Sequence, residues 1–280
     1  MGRYWWCIAL LAGCSGADSK EGDAKACGRA DEAAVVTQLT FTRAEDDISY
    51  GFDLDGHDTT LGDFEGCGIG DFVAPDGTGG IDNAFARLLP VLELTEAVAV
   101  EALVQDAINS GELMMMLEFD GLDDRDDDDC VDFTLSRGEG VPFVGSHDRI
   151  DAGQTFDRDA DVRASEAGQV ELVDGQLRAH GLDVDLPIQV FDVMVPLVVE
   201  NASIHIDLHA DGTYSGYMGG GIDPDPIIEM AFENPVDQDL AESLPGLFAS
   251  ASDLADESGE CRYMSATLDF EGVSAYFYDD

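Results

Sequence analysis

Apolar and polar residues alternate from Val35 to Thr42, the period of a half-buried strand, and then give way to acidic turn chemistry. From Gly51 to Gly80 glycine and aspartate dominate, a composition that disfavours helix and sheet interiors and favours ordered loops. The period then becomes helical. Phe85, Leu88, Leu89 and Leu92 recur on one side of a segment that Asp82 is placed to cap and that Pro90 bends or ends. A second predicted helix runs from about Thr95 to Ser110, with Val98, Leu103, Val104 and Ile108 as its apolar stripe and Gly111 as its stop.

Strand periodicity returns at Leu113 to Phe119 and Val131 to Leu135, a hairpin joined by a long acidic connection. Further strands are predicted at Val170 to Val173, Gln176 to Ala179, Val184 to Val199, Ser203 to His209 and Thr213 to Met218. Asp174-Gly175 and Asp211-Gly212 supply the hairpin turns. Residues 188 to 199 are apolar at both alternating positions, which predicts a central or helix-covered strand, with Pro196 marking a locally free edge or bulge. Gly219-Gly220-Gly221 reads as a break in the sheet. Helices follow from Pro224 to Phe232 and from about Gln238 to Ala251, then closing strands at Tyr263 to Phe270 and Val273 to Tyr278. No repeat of fixed period occurs, which excludes solenoids and propellers. The pattern as a whole predicts an α+β fold: a mainly antiparallel β meander or sandwich with about four helices.

The N-terminus has its own order: one basic residue, Arg3, an apolar run from Tyr4 to Leu11, then small residues, as in a secretory signal. Leu11-Ala12-Gly13-Cys14 resembles the lipobox of bacterial lipoproteins, a resemblance confined to these four residues. It implies cleavage before Cys14, lipidation of that cysteine and, with Ser15 following, the outer membrane as destination. The expected organisation is a signal peptide over 1–13, a lipidated flexible tether over 14–32 and one acidic domain over 33–280, with a subdivision near 140–165 left open. No stretch approaches the roughly 20 consecutive apolar residues that a membrane-spanning helix needs.

Cysteine usage agrees with export. Setting aside Cys7 in the leader and Cys14 leaves Cys27, Cys67, Cys130 and Cys261, an even set, far apart, whose three pairings sequence leaves open. Zinc is the rival reading, but no two of them have the close spacing of structural zinc ligands. Charge weighs more. Against 13 basic residues stand 60 acidic ones, a formal net charge of −47, so nucleic acid, whose affinity comes from neutralised phosphates, is not a partner. Self-repulsion on this scale works against a compact state unless cations screen or bind it.

Two aspartate-rich segments are the candidate sites for such a cation. Asp53, Asp55 and Asp58 alternate along a turn containing Gly56, a way to converge hard oxygens on Ca2+, and the turn is similar to the Asp-rich calcium turns of thrombospondin-type repeats. The frame is not that of an EF-hand, since Gly56 at the sixth position puts Gly51 at the first. Asp120, Asp123, Asp124, Asp126 and Asp128 crowd a second loop that Cys130 can tether, where like charges repel unless a cation lies among them. Both compete with a solvated acidic loop. Asp76, Asp82 and Asn83 form a third oxygen-rich group that turn formation and helix capping explain.

Other motifs carry less. His205, Asp207 and His209 alternate on one strand, but side chains two and four apart are separated by roughly 6.6 and 13 Å, whereas two ligands of one metal lie within roughly 4 Å. At most one histidine with Asp207 could join a site completed elsewhere. Ser146-His147-Asp148 holds the letters of a hydrolase triad in three consecutive residues, which cannot meet in space as catalysis requires. No catalytic residues are assigned.

The lipobox, the Gly51 to Gly56 turn and the general build resemble the acidic lipoproteins of myxobacteria and other Gram-negative bacteria, a likeness that implies no activity. The resulting expectation is a non-enzymatic lipoprotein with a binding or structural role, its aspartate loops holding Ca2+. It would be lipid-anchored at the outer membrane, in the periplasm or at the cell surface. The alternative is a lipid-anchored hydrolase of envelope or extracellular polymers that uses paired carboxylates.

Overall fold

The computed structural model describes residues 27–28, 31–63, 66–93, 100–190, 193–233 and 238–278. The signal-peptide reading, Cys14, most of the tether and the Thr95 to Val98 start of the second predicted helix lie outside them.

Ten strands and four helices occur among the described residues. In chain order they are β1 (Asp31–Phe41), α1 (Phe85–Leu92), α2 (Val100–Ser110), β2 (Met115–Asp120), β3 (Asp128–Glu139), β4 (Gln154–Arg158) and β5 (Ser165–Val173). There follow β6 (Gln176–Val190), β7 (Val193–Leu208), β8 (Thr213–Ile222), α3 (Asp225–Glu233), α4 (Gln238–Ala249), β9 (Leu254–Ala255) and β10 (Cys261–Phe277).

Pairing runs β1-β2-β3, then β3-β5, β5-β6-β7-β8, β8-β10 and back from β10 to β1, every step antiparallel. These eight strands close on themselves. The fold is therefore a β-barrel, and the expectation of an α+β meander or sandwich is corrected. Closure removes the edges that an open meander leaves to solvent. It rests on the β1–β10 pairing across most of the chain's length, from Ala33 opposite Ala275 to Phe41 opposite Leu268, and local periodicity carries no information about such a contact.

Four readings of individual elements change as well. Val184 to Val199 is two arms of one hairpin, β6 ending at Val190 and β7 starting at Val193, with Leu186 opposite Leu197 and Pro187 opposite Pro196. Gly219, Gly220 and Gly221 lie inside β8 and do not break the sheet. The two closing strands are one, β10, which passes through Gly272 without interruption. Asp31 and Glu32, read as the end of the tether, open β1.

The barrel interior is filled. Leu117, Phe119, Val131, Phe133, Leu135, Leu177, Ile204, Ile206, Tyr214, Met218 and Phe270 belong to one buried cluster, as expected of an eight-stranded barrel just wide enough for side chains to pack. Phe119 stacks on Tyr214 with centroids 5.5 Å apart and planes 12° from parallel. Outward positions of β1 and β2, including Val35 and Met116, are buried as well, as is Met114 just before β2. There α2 packs on β1, with Gln105 donating to the Thr37 carbonyl, and β4 bridges β3 and β10, the strands flanking that pair. Two disulfides, Cys27–Cys130 and Cys67–Cys261, tie the chain's start to β3 and the loop after β1 to β10. No described helix is long and apolar enough to cross a membrane.

Candidate functional site

Between β1 and α1 the chain leaves the barrel and wraps the outside of β8 and β10. Thr42 N donates to the Thr267 carbonyl of β10 and the Cys67–Cys261 disulfide ties the segment to β10 again, while within it Asp82 N donates to Phe52 O and Phe72 pairs with Ile81. A segment with so little regular structure needs side chains to close it, and aspartates do so. Asp53 Oδ1 accepts from Gly56 N at 2.7 Å, Asp55 Oδ1 from His57 N at 2.9 Å, and Asp71 Oδ2 from Thr59 N at 2.6 Å. Gly80 turns with φ +77° where an added Cβ would meet the His57 carbonyl oxygen at 2.9 Å, so only glycine lets the two halves of the excursion meet.

That meeting brings Asp82 to the first aspartate turn. Its Oδ2 accepts from Leu54 N at 2.7 Å, and one carboxylate oxygen each from Asp53, Asp55 and Asp82 lie within 4.8 Å of one another. Oxygens bound to one Ca2+ at 2.3–2.6 Å can lie up to about 5 Å apart, so three converging carboxylates fit a single hard cation. Asp82 is 2% exposed. Burial pushes its carboxyl up to about 8, opposed by the Leu54 hydrogen bond and reinforced by Asp55, Asp253 and Asp71. Asp71 is also raised, by burial first and then by Asp55, Asp58 and Asp53. Asp58 stands outside the group of three: its carboxylate packs against Gly79, where a Cβ would come within 2.8 Å of Oδ2.

The sequence identified Asp53 and Asp55 but assigned Asp82 to a helix cap, and that assignment is corrected. Ala84 occupies the cap position of α1, without a side-chain cap bond, and its N–H goes to Ser265 Oγ at 2.7 Å. Asn83 bridges outward, accepting from Thr267 N and donating to Ser49 Oγ. Asp76 stays in an exposed turn, accepting from Thr78 N. The signal that could have located Asp82 was the oxygen-rich group itself; pairing it with residues 53–55 required the fold.

Beneath the excursion lies another buried acid. Asp253 accepts from Ser265 N at 2.7 Å and also from Ser265 Oγ. Burial raises its carboxyl to about 6, against the lowering effect of both Ser265 bonds. The Asp253 to Ser265 to Ala84 chain thereby joins the start of β9, β10 and α1.

The second acidic loop is organised differently. Asp128 Oδ2 accepts from Asp123 N and Asp124 N, Asp124 Oδ1 from Asp126 N, and Asp127 Oδ1 from Asp174 N. Arg125 Nη1 lies 3.1 Å from Glu32 Oε2, while its guanidinium sits 5.1 Å from the Tyr214 ring and Tyr214 Oη donates to Glu32. The loop is folded over the barrel end by its one cation, by the Cys27–Cys130 disulfide and by Gly175 N donating to Asp126 O. Asp120, Asp123, Asp124 and Asp126 are exposed, and Asp128 accepts from the backbone N–H groups of Asp123, Asp124 and Cys130. Among the described residues, the convergence of three ligand atoms occurs at Asp53, Asp55 and Asp82.

His205 and Asp207 contact each other, Nε2 to Oδ1 at 3.3 Å, but His209 bonds Ser215 instead. His180 Nδ1 lies 2.8 Å from Ser203 Oγ, with Ser203 buried, so its hydroxyl is shielded from an incoming substrate. Asp82 is likewise buried, while Asp53 beside it is exposed. Comparison with protein-family models, with curated proteins and with solved structures finds no match.

Proposed function

We propose that this chain is an exported, lipid-anchored protein with a binding or structural role, whose excursion is closed on itself by Ca2+ or a similar hard cation at Asp53, Asp55 and Asp82. The convergence of these three carboxylates within 4.8 Å carries the reading. Without a counter-ion, burial and the neighbouring carboxylates keep Asp82 protonated near neutral pH; a bound cation favours the ionised form of all three. In a chain of net charge −47, the gain from binding a divalent cation is large. Three carboxylate oxygens supply part of the six to eight that Ca2+ takes, water and backbone carbonyls supplying the rest. Export is supported by two disulfides, which persist in oxidising compartments, and by the lipobox at Leu11 to Cys14.

Calorimetry with calcium and then with a chelator tests the cation. Calcium at about 100 times its Kd stabilises a one-site protein by about 2.7 kcal/mol, so the melting temperature rises with calcium and falls back on chelation. Asp82→Asn removes the response and Asp126→Asn retains it. A melting temperature indifferent to calcium sinks the cation. Mass spectrometry of the native product tests the anchor: a mature chain starting at an acylated Cys14 is expected, and an intact leader overturns it.

A further inference from the structure

The outer face of β6, β7 and β8 carries a group of rings that the cation site does not use. Tyr217 on β8 is its centre. The His205 ring stacks on it at 5.0 Å and 22°, and Phe52 approaches at 5.0 Å and Tyr50 at 5.5 Å, the last with planes 48° apart. Phe52 is the anchor: it rests on β8 where Gly219 has no side chain to obstruct it. Tyr50 is 50% exposed and Tyr217 half-buried, so the angle between their rings opens to solvent. Arg178 and Asp207 flank it. Arg178 is exposed and donates its Nε to His205 Nδ1 at 3.2 Å, which fixes the guanidinium plane, and Asp207 is held by the other ring nitrogen.

We propose that this face binds a neutral saccharide. A sugar ring presents C–H groups to an aromatic face and pairs of hydroxyls to planar polar groups. Tyr50 with Tyr217 supplies the first, a rigid amphipathic surface, while Arg178 and Asp207 supply a fixed donor edge and a fixed acceptor edge. All but Tyr50 and Phe52 stand on strands, which holds the spacing in place. Charge decides among ligands. A molecule of net charge −47 repels anionic polymers, and Arg178 beside the rings opposes a cation seated on them, so the ligand is uncharged. Tyr50 and Phe52 share the excursion with the cation site, Phe52 O accepting from Asp82 N, and the test keeps calcium present so that failure of one does not imitate failure of the other.

The experiment is electrophoresis of the full chain through gels containing dextran, laminarin or galactomannan, with polygalacturonate as the anionic comparison. Retardation is expected in at least one neutral gel and not in polygalacturonate. Tyr50→Ala and Arg178→Ala should each weaken it about tenfold at unchanged melting temperature. If Tyr50→Ala lowers the melting temperature, Arg178→Ala alone decides. Absence of retardation in all three neutral gels, preference for polygalacturonate, or retention that survives Arg178→Ala overturns the proposal.

Discussion

Asp253 shows how one side chain sets a pH dependence. Its carboxyl is 3% exposed and titrates at about 6 in the fold, burial being the main cause, against 3.8 as the ordinary value. The native state therefore holds a proton that the unfolded state has released between these two values. The stabilisation from that proton is fully present below 3.8 and is lost as pH rises through 6, an amount on the order of 3 kcal/mol. Asp253→Asn keeps an acceptor for Ser265 N and removes the titration. Chemical denaturation at several pH values between 4 and 7 should show the wild type losing stability across that interval more steeply than the variant. Equal slopes would show that Asp253 is ionised throughout.

At the scale of elements, the excursion between β1 and α1 is the part whose place depends on glycine. At Gly219 a Cβ would approach Thr267 Oγ1 to 2.9 Å and the Phe52 ring to 3.0 Å. Strand β8 thus gives up side chains on its outer face so that another segment can lie on it. Gly219→Val should lift Phe52 and destabilise the protein by about 1–3 kcal/mol, as overpacking does; a denaturant midpoint equal to that of the wild type would contradict this packing. The β6–β7 hairpin makes a different point. Its arms continue beyond Val199, the last β7 residue that pairs with β8 before the turn. Pro187 opposite Pro196 leaves both of these positions without a backbone N–H to donate.

For the whole molecule, closure and charge oppose each other. The barrel buries a continuous apolar interior, while 60 acidic residues against 13 basic ones surround it. Few described carboxylates have a cationic partner, and the pairs that exist, such as Arg43 with Glu93 and Glu101, are partly exposed and each worth roughly 0–1 kcal/mol. Screening is therefore the larger lever. Raising NaCl from about 0.01 M to about 1 M shortens the Debye length from about 30 to about 3 Å, and the melting temperature should climb with it even with chelator present. A flat or falling dependence would mean that surface repulsion is not what limits stability.

Much of this was set along the chain itself. The turns at Asp174-Gly175 and Asp211-Gly212, the helices from Phe85, Asp225 and Gln238, the β2–β3 hairpin and the four disulfide cysteines follow from residue types and periods, because hairpin turns and amphipathic stripes are local physics. Asp53 and Asp55 were legible for the same reason. Decided only in three dimensions were the closure of β1 on β10, which turns a row of strands into a barrel, the choice of cysteine partners, and the arrival of Asp82 beside Asp53 and Asp55. Each is a contact between residues far apart in sequence, fixed by how the interior packs and by which backbone groups remain to be paired, and no window of neighbouring residues contains that information.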